Sequence, residues 1–149
     1  MSLVFIRTNR VCNRWKWFSV LLLLWCLGCA EDDGRIPVVK TTGQLVWPEG
    51  DVQGLMIALH PVDPNAPRTP VQPTGVIQAD GRFEVMSYEV GDGVPPGDYI
   101  VTVREAPRAD GAPKITLPPK KFLDPKTSPL RVMIENKAMN DLPPLIIED

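Results

Sequence analysis

Short apolar or alternating runs, separated by Pro, Gly and Asp, recur along most of the chain, and none has a clear helical period. Residues 55–60 (LMIALH) are apolar on both sides, which is typical of a strand buried on both faces. Residues 98–105 alternate and place Tyr99, Val101 and Val103 on one face, which predicts a half-buried strand. The whole pattern predicts an all-β fold, a single antiparallel β-sandwich of about seven strands. The predicted strands cover residues 38–47, 55–60, 74–79, 82–88, 98–105, 130–135 and 141–147.

The clearest local signal is a hairpin at Asp80-Gly81, which separates two of these runs. A two-residue Asp-Gly turn needs positive φ at both positions, and this pair tolerates that conformation well. The register that such a turn imposes would direct Val76, Phe83 and Val85 toward a core.

The first predicted strand contains Gly43, a possible β-bulge, and ends at Trp47. Trp47 has two interpretations. It could belong to an exposed apolar patch that contacts a partner, or it could be a core residue at the end of a strand.

Two proline-rich segments interrupt the strands. Residues 61–73 hold five prolines, which favours an extended loop that is either a ligand for a proline-binding groove or a rigid surface connector. Residues 106–125 are also rich in proline and carry a local group of basic residues. That group could contact phosphate or lipid headgroups, or it could belong to a solvated loop. Its members are Arg108, Lys114, Lys120 and Lys121.

The first 28 residues differ from the rest of the chain. Residues 1–16 contain four basic residues and no acidic one, and residues 17–28 form an apolar run of 12 residues. A basic segment before a short apolar run predicts an N-terminal signal helix, since a permanent membrane span needs roughly 20 apolar residues. A buried core helix is the alternative.

The end of that run, Leu27-Gly28-Cys29-Ala30, resembles a bacterial lipobox. This resemblance implies diacylglyceryl transfer to the thiol of Cys29 and cleavage between Gly28 and Cys29. Residues 1–28 would then be a lipoprotein signal peptide, and residues 29–37 an acidic tether. Ordinary secretion with an unmodified thiol is the alternative.

Cleavage before Cys29 would leave 121 of the 149 residues and remove four basic residues, which moves the formal charge from −2 to −6. An acidic chain is a poor nucleic-acid binder, and 17 prolines argue against a helical bundle. Cys29 would be the only cysteine left, so no disulfide framework is expected.

Candidate catalytic residues are few. His60 is the only histidine, and it lies at the end of an apolar run, where a structural role is common. Neither Ser-x-x-Lys nor Gly-x-Ser-x-Gly occurs. We therefore expect no enzyme activity, no catalytic or metal site and no cofactor.

Four stretches of the chain are similar to the carboxypeptidase regulatory-like, or transthyretin-like (prealbumin-like), fold. The tail, with KFLDPKTSPL at 121–130, resembles a group of small planctomycete lipoproteins that join a lipobox to such a domain. The resemblance implies a seven-stranded sandwich over residues 38–149 with no known catalysis. The four stretches are residues 42–45, Leu55–Pro61, 79–83 and 94–103.

Together these features predict a lipid-anchored, non-catalytic protein of the bacterial cell envelope, facing the periplasm or the exterior. It would be held at the membrane through lipid on Cys29 and would act as an interaction or binding module. Other envelope proteins or glycans are the expected partners, and nucleic acid is not. A purely structural envelope lipoprotein and a secreted, unlipidated β-sandwich are the alternatives.

Overall fold

The computed structural model describes residues 34–112 and 114–148. The predicted signal helix, and the predicted tether as far as residue 33, lie outside the described residues. One compact unit, Arg35–Asp149, contains every strand discussed below.

The described chain is all-β, as predicted, and forms two sheets. In the first sheet β4 and β7 flank β1, and β8 also pairs with β1. The second sheet has the order β3-β2-β5-β6. A 3₁₀ turn, Lys120–Phe122, precedes β6. The strands are β1 (Lys40–Val46), β2 (Leu55–Pro61), β3 (Thr74–Val76), β4 (Arg82–Glu84), β5 (Gly97–Glu105), β6 (Arg131–Ile134), β7 (Met139–Asp141) and β8 (Leu145–Ile146).

Both sheets contribute to one buried apolar cluster, which includes Leu45 and Phe83 from the first sheet and Ile57, Val101 and Ile134 from the second. β2 is buried on both faces from Leu55 to Leu59, as its apolar run predicts. On β5 the alternating residues Tyr99, Val101 and Val103 face this cluster, as predicted.

The prediction of a purely antiparallel fold is wrong, because β7 and β8 both run parallel to β1. β6 belongs to the second sheet and ends where β1 begins, so the chain enters β7 from the same end as β1 and runs in the same direction. The single last strand predicted at 141–147 is also wrong. Pro143 and Pro144 lack the N–H groups that a continuous ladder needs, and they separate β7 from β8.

The hairpin lies where it was predicted, but its turn has three residues rather than two. Gln78 and Arg82 close the turn with a bond of 2.8 Å from Gln78 N to Arg82 O. Only Gly81 has positive φ (82°), and Asp80 does not. The Asp80 carboxylate accepts a hydrogen bond from Arg82 N (3.0 Å), which favours this longer turn.

The extra turn residue moves the register by one position, so Ile77 pairs with Phe83 and takes the buried face in place of Val76. Val76 is 50% exposed, which corrects its predicted core position, whereas Phe83 and Val85 are buried as predicted. The two legs belong to different sheets, because β3 pairs with β2 and β4 pairs with β1. They stay joined to each other, since Thr74 and Met86 exchange backbone hydrogen bonds at 3.0 and 2.8 Å.

The strand directions define two ends of this domain. β1, β5 and β7 begin at one end, where β2, β4 and β6 finish. The near pole is this end, formed by Lys40, Pro61, Gly97 and Ile134. The far pole is the opposite end, formed by Val46, Leu55 and Glu105.

Candidate functional site

The predicted lipidation residue Cys29 and the predicted cleavage junction between Gly28 and Cys29 lie outside the described residues. The described chain starts at Gly34, five residues after Cys29.

The first described residues are docked onto the near pole. Ile36 N donates a hydrogen bond to the Tyr88 hydroxyl (3.0 Å), and Arg35 Nη1 lies 3.2 Å from Glu89 Oε1. The Arg35 guanidinium also lies 5.2 Å from the centroid of the Tyr88 ring, within cation–π range. We call these four residues the N-terminal clamp, since they hold the start of the domain on the loop after β4.

Asp92 organises the loop that carries this clamp. Its carboxylate accepts hydrogen bonds from the backbone N–H groups of Ser87 (2.8 Å), Tyr88 (2.9 Å) and Glu89 (3.0 Å). Burial by itself raises the pKa of Asp92, but these bonds and one from Gly93 outweigh burial and lower the pKa. A stable carboxylate therefore sets the shape of residues 87–93.

The same loop is joined to the entry of β1. Val39 and Val94 exchange backbone hydrogen bonds in both directions, at 2.9 and 3.1 Å. Gly93, at φ 104°, lies so close to the Val39 carbonyl that no side chain would fit there. The N-terminal clamp, the loop at 87–93 and the residues just before β1 are therefore joined by hydrogen bonds.

The proline-rich loop at residues 61–73 lines a cavity of about 230 Å³ at its junction with β2. The ends of the loop are fixed by backbone hydrogen bonds from Val62 N to Asp98 O (2.9 Å) and from Leu59 N to Pro73 O (2.9 Å). The cavity walls combine proline rings with polar groups, among them Pro67, Arg68, Thr69 and Gln72. Two side chains of the loop, Val62 and Val71, are 48% and 64% exposed.

His60 lies at the edge of this cavity with both ring nitrogens in hydrogen bonds. Nε2 lies 2.9 Å from Thr102 Oγ1, and Gln72 Nε2 lies 3.0 Å from Nδ1. The same amide nitrogen lies 3.2 Å from His60 Nε2, so Gln72 contacts both ring nitrogens.

Desolvation lowers the pKa of His60, and the positive charge of Arg104 lowers it further, against an opposing effect of Asp124. The neutral ring is therefore the favoured form. Its two hydrogen-bond partners are a hydroxyl on β5 and an amide at the end of the proline-rich loop.

Tyr99 also borders the cavity, but its ring belongs to the core and is 4% exposed. Its hydroxyl donates a 2.8 Å hydrogen bond to the carbonyl of Pro95, four residues earlier, which is the geometry of a tyrosine corner. Burial raises the pKa of Tyr99 to about 12. The structure thus agrees with core packing rather than ligand stacking for Tyr99.

At the far pole a shallow cleft of about 610 Å³ separates the loop after β1 from the loop after β5. Arg108 and Lys114, two of the four basic residues noted in the sequence, line this cleft, and Arg108 is paired with Glu105. Lys121 lies elsewhere, with its ammonium 5.1 Å from the Phe122 ring.

Trp47 is partly buried against the core, which matches its interpretation as a core residue.

Within residues 34–112 and 114–148, no group of His, Cys, Asp and Glu side chains is arranged to hold a metal ion. The same residues contain no helix long and apolar enough to cross a membrane.

The comparisons with known proteins identify no relative: no family model, curated protein or solved structure matches the chain.

Sequence reasoning missed Tyr88 and Asp92. The only local signal is Asp92 between Gly91 and Gly93, a pattern that allows a tight loop around one carboxylate. No local signal connects Tyr88 with residues 35–36, because their partnership spans 52 positions of the chain.

Proposed function

We propose that this chain is a lipid-anchored, non-catalytic protein of the bacterial cell envelope, and that its transthyretin-like β-sandwich is an interaction or binding module. The clamp at Arg35 and Ile36 is the observation that carries this proposal. The clamp begins at Arg35, six residues after the candidate lipidation site at Cys29, and it holds these residues in place. If Cys29 carries lipid, only a short segment separates the lipid from residues that are held on the domain. Such a short connection suits a domain that is held close to a membrane.

The sandwich assignment has support from the sheets. Two sheets of four strands share one buried apolar cluster, and the strand order of each sheet is fully defined. Six of the seven strands expected from the sequence are present at their predicted places, and the seventh is divided in two.

The proline-rich loop supplies the surface that best suits a partner. It carries two exposed valines and lines a small cavity whose polar groups could contact a glycan or a protein side chain. The prolines restrict the backbone, so contact with a partner would cost little conformational entropy.

The first test is the intact mass of the protein purified from a membrane fraction, beside Cys29→Ala and the matched leader variant Cys26→Ala. We expect a chain that begins at Cys29 and carries several acyl chains. Cys29→Ala should lose that mass and leave the membrane fraction, whereas Cys26→Ala should keep both.

A chain with its leader attached, or cleaved without acyl mass, would contradict the anchored assignment and favour the secreted alternative. The structural-component alternative predicts self-association of the acylated protein, which cross-linking on the intact envelope would detect.

A further inference from the structure

Several contacts at the near pole hold the start of the domain. Arg35 and Ile36 bind Tyr88 and Glu89 there, and Val39 exchanges bonds with Val94 beside them. The hairpin turn after β3 lies at the far pole, because Gly81 O accepts a hydrogen bond from Leu45 N near the end of β1. The chain therefore enters the domain at one defined end.

The lengths involved restrict how the domain can sit if Cys29 is acylated, and this inference rests on the proposed function. Six Cα steps from Cys29 to Arg35 reach at most about 20 Å when fully extended. The nine residues of β5 run from one pole to the other over roughly 30 Å. While the clamp holds Arg35, the near pole lies no farther from the bilayer than the length of the segment from Cys29 to Arg35. If the strands stand perpendicular to the membrane, the far pole lies farther away than that length.

The tip of the clamp loop is suited to a lipid surface. Val90 is 88% exposed, and it follows directly after the residues whose backbone Asp92 holds. Two charged pairs lie at this pole, Arg35 with Glu89 and Lys137 with Glu135 (2.7 Å), and the charges within each pair offset each other. An exposed apolar residue on a preorganised loop fits a bilayer interface.

We propose that the near pole, led by Val90, rests on the lipid headgroups, and that the far pole faces away from the membrane. The acidic residues at 31–33 would be repelled by anionic lipids, so a zwitterionic headgroup surface is the fitting partner.

Energy transfer from single labelled thiols to acceptor-labelled lipids tests this orientation. Acylation consumes the thiol of Cys29, and Cys12 and Cys26 leave with the leader, so an introduced cysteine is the only free thiol. Ala138→Cys, on the exposed turn between β6 and β7, places a dye at the near pole and leaves Val90 intact. Ala79→Cys, on the exposed turn of the hairpin, is the matched far-pole control. The acylated proteins are reconstituted into phosphatidylcholine vesicles.

We expect strong transfer from position 138 and its loss at position 79. Equal transfer from both positions, or stronger transfer from position 79, would overturn the orientation while leaving the anchored assignment intact. A purified chain without acyl mass, which stays in the supernatant of the vesicles, would overturn the anchored assignment and the orientation together.

Discussion

The ring of Phe83 on β4 lies against the backbone of Gly43 on β1, its directly opposed partner. A Cβ built on residue 43 would come within 2.6 Å of Phe83 Cζ. The strand pairing is continuous through this position, so the β-bulge expected at Gly43 is wrong. The glycine instead leaves room for an aromatic ring that is 1% exposed.

Gly43→Ala should therefore destabilise the domain by about 1–3 kcal/mol, because an added methyl group must displace a packed ring. Urea unfolding followed by tryptophan fluorescence would measure the loss. The matched control is the same substitution made in a Phe83→Leu background, where the smaller side chain should reduce the cost. An equal cost in both backgrounds would show that the ring is not the cause.

Tyr99→Phe should lower the free energy of unfolding by about 1 kcal/mol, since it deletes the hydrogen bond to Pro95 O and keeps the buried ring. Tyr88→Phe removes the hydroxyl that accepts from Ile36 N, and it should change global stability by less than about 0.5 kcal/mol. Parallel denaturant curves would compare the two variants. A larger loss for Tyr88→Phe would contradict the assignment of Tyr99 as the structural corner.

His60 should make the stability depend on pH in the mildly acidic range. Its folded pKa lies below the ordinary value of 6.5, so the unfolded chain binds the proton more readily. The contribution of His60 is then complete above that value and is lost as the pH falls through the folded pKa. Urea midpoints between about pH 7.5 and about pH 5.5 would measure this loss.

His60→Gln is the control for this pH effect, since the amide retains hydrogen-bonding capacity and does not titrate. Because the chain has a single histidine, the variant should show a flatter pH profile over the same range. An unchanged slope would mean that another group is responsible.

Asp92→Asn should loosen the clamp loop without unfolding the sheets. Loss of charge-assisted bonds of about 1.5 kcal/mol would raise local opening roughly tenfold. Hydrogen exchange should become faster at the amides of Ser87, Tyr88 and Glu89, and also at Ile36, which docks on the same loop.

The difference between wild type and Asp92→Asn should vanish in acid. The pKa of Asp92 is lowered from 3.8 in the folded state, so its contribution is present above that value and is lost as the pH falls through the folded pKa. A difference that persists after the carboxylate is protonated would assign the effect to the amide group itself.

The sequence pattern predicted those features that depend on residues a few positions apart. The alternation in β5 and the apolar run of β2 depend on side chains two positions apart, and their buried faces agree with the structure. The hairpin was located correctly, but the turn length depended on the hydrogen bond from Arg82 N to Asp80, which the Asp-Gly pair alone does not reveal. That one residue decided which of Val76 and Ile77 is buried.

The candidate site was less predictable. The polar contacts of His60 join β2 to Thr102 on β5 and to Gln72 at the end of the proline-rich loop. Its position at a strand end indicated a structural role, but the partners come from distant segments and leave no local pattern. The N-terminal clamp was missed for the same reason, although the nearby acidic tether was noted.

The amino-acid sequence by itself determined the β class, the positions of most strands and the core faces of β2 and β5, because burial and turn formation act over a few residues. Tertiary structure alone decided the parallel pairing of β7 and β8 with β1, the contact of Phe83 with Gly43 and the docking of Ile36 on Tyr88. Each of these joins residues at least 40 positions apart. Such contacts form only when the two sheets close over a common core, and no local preference specifies them.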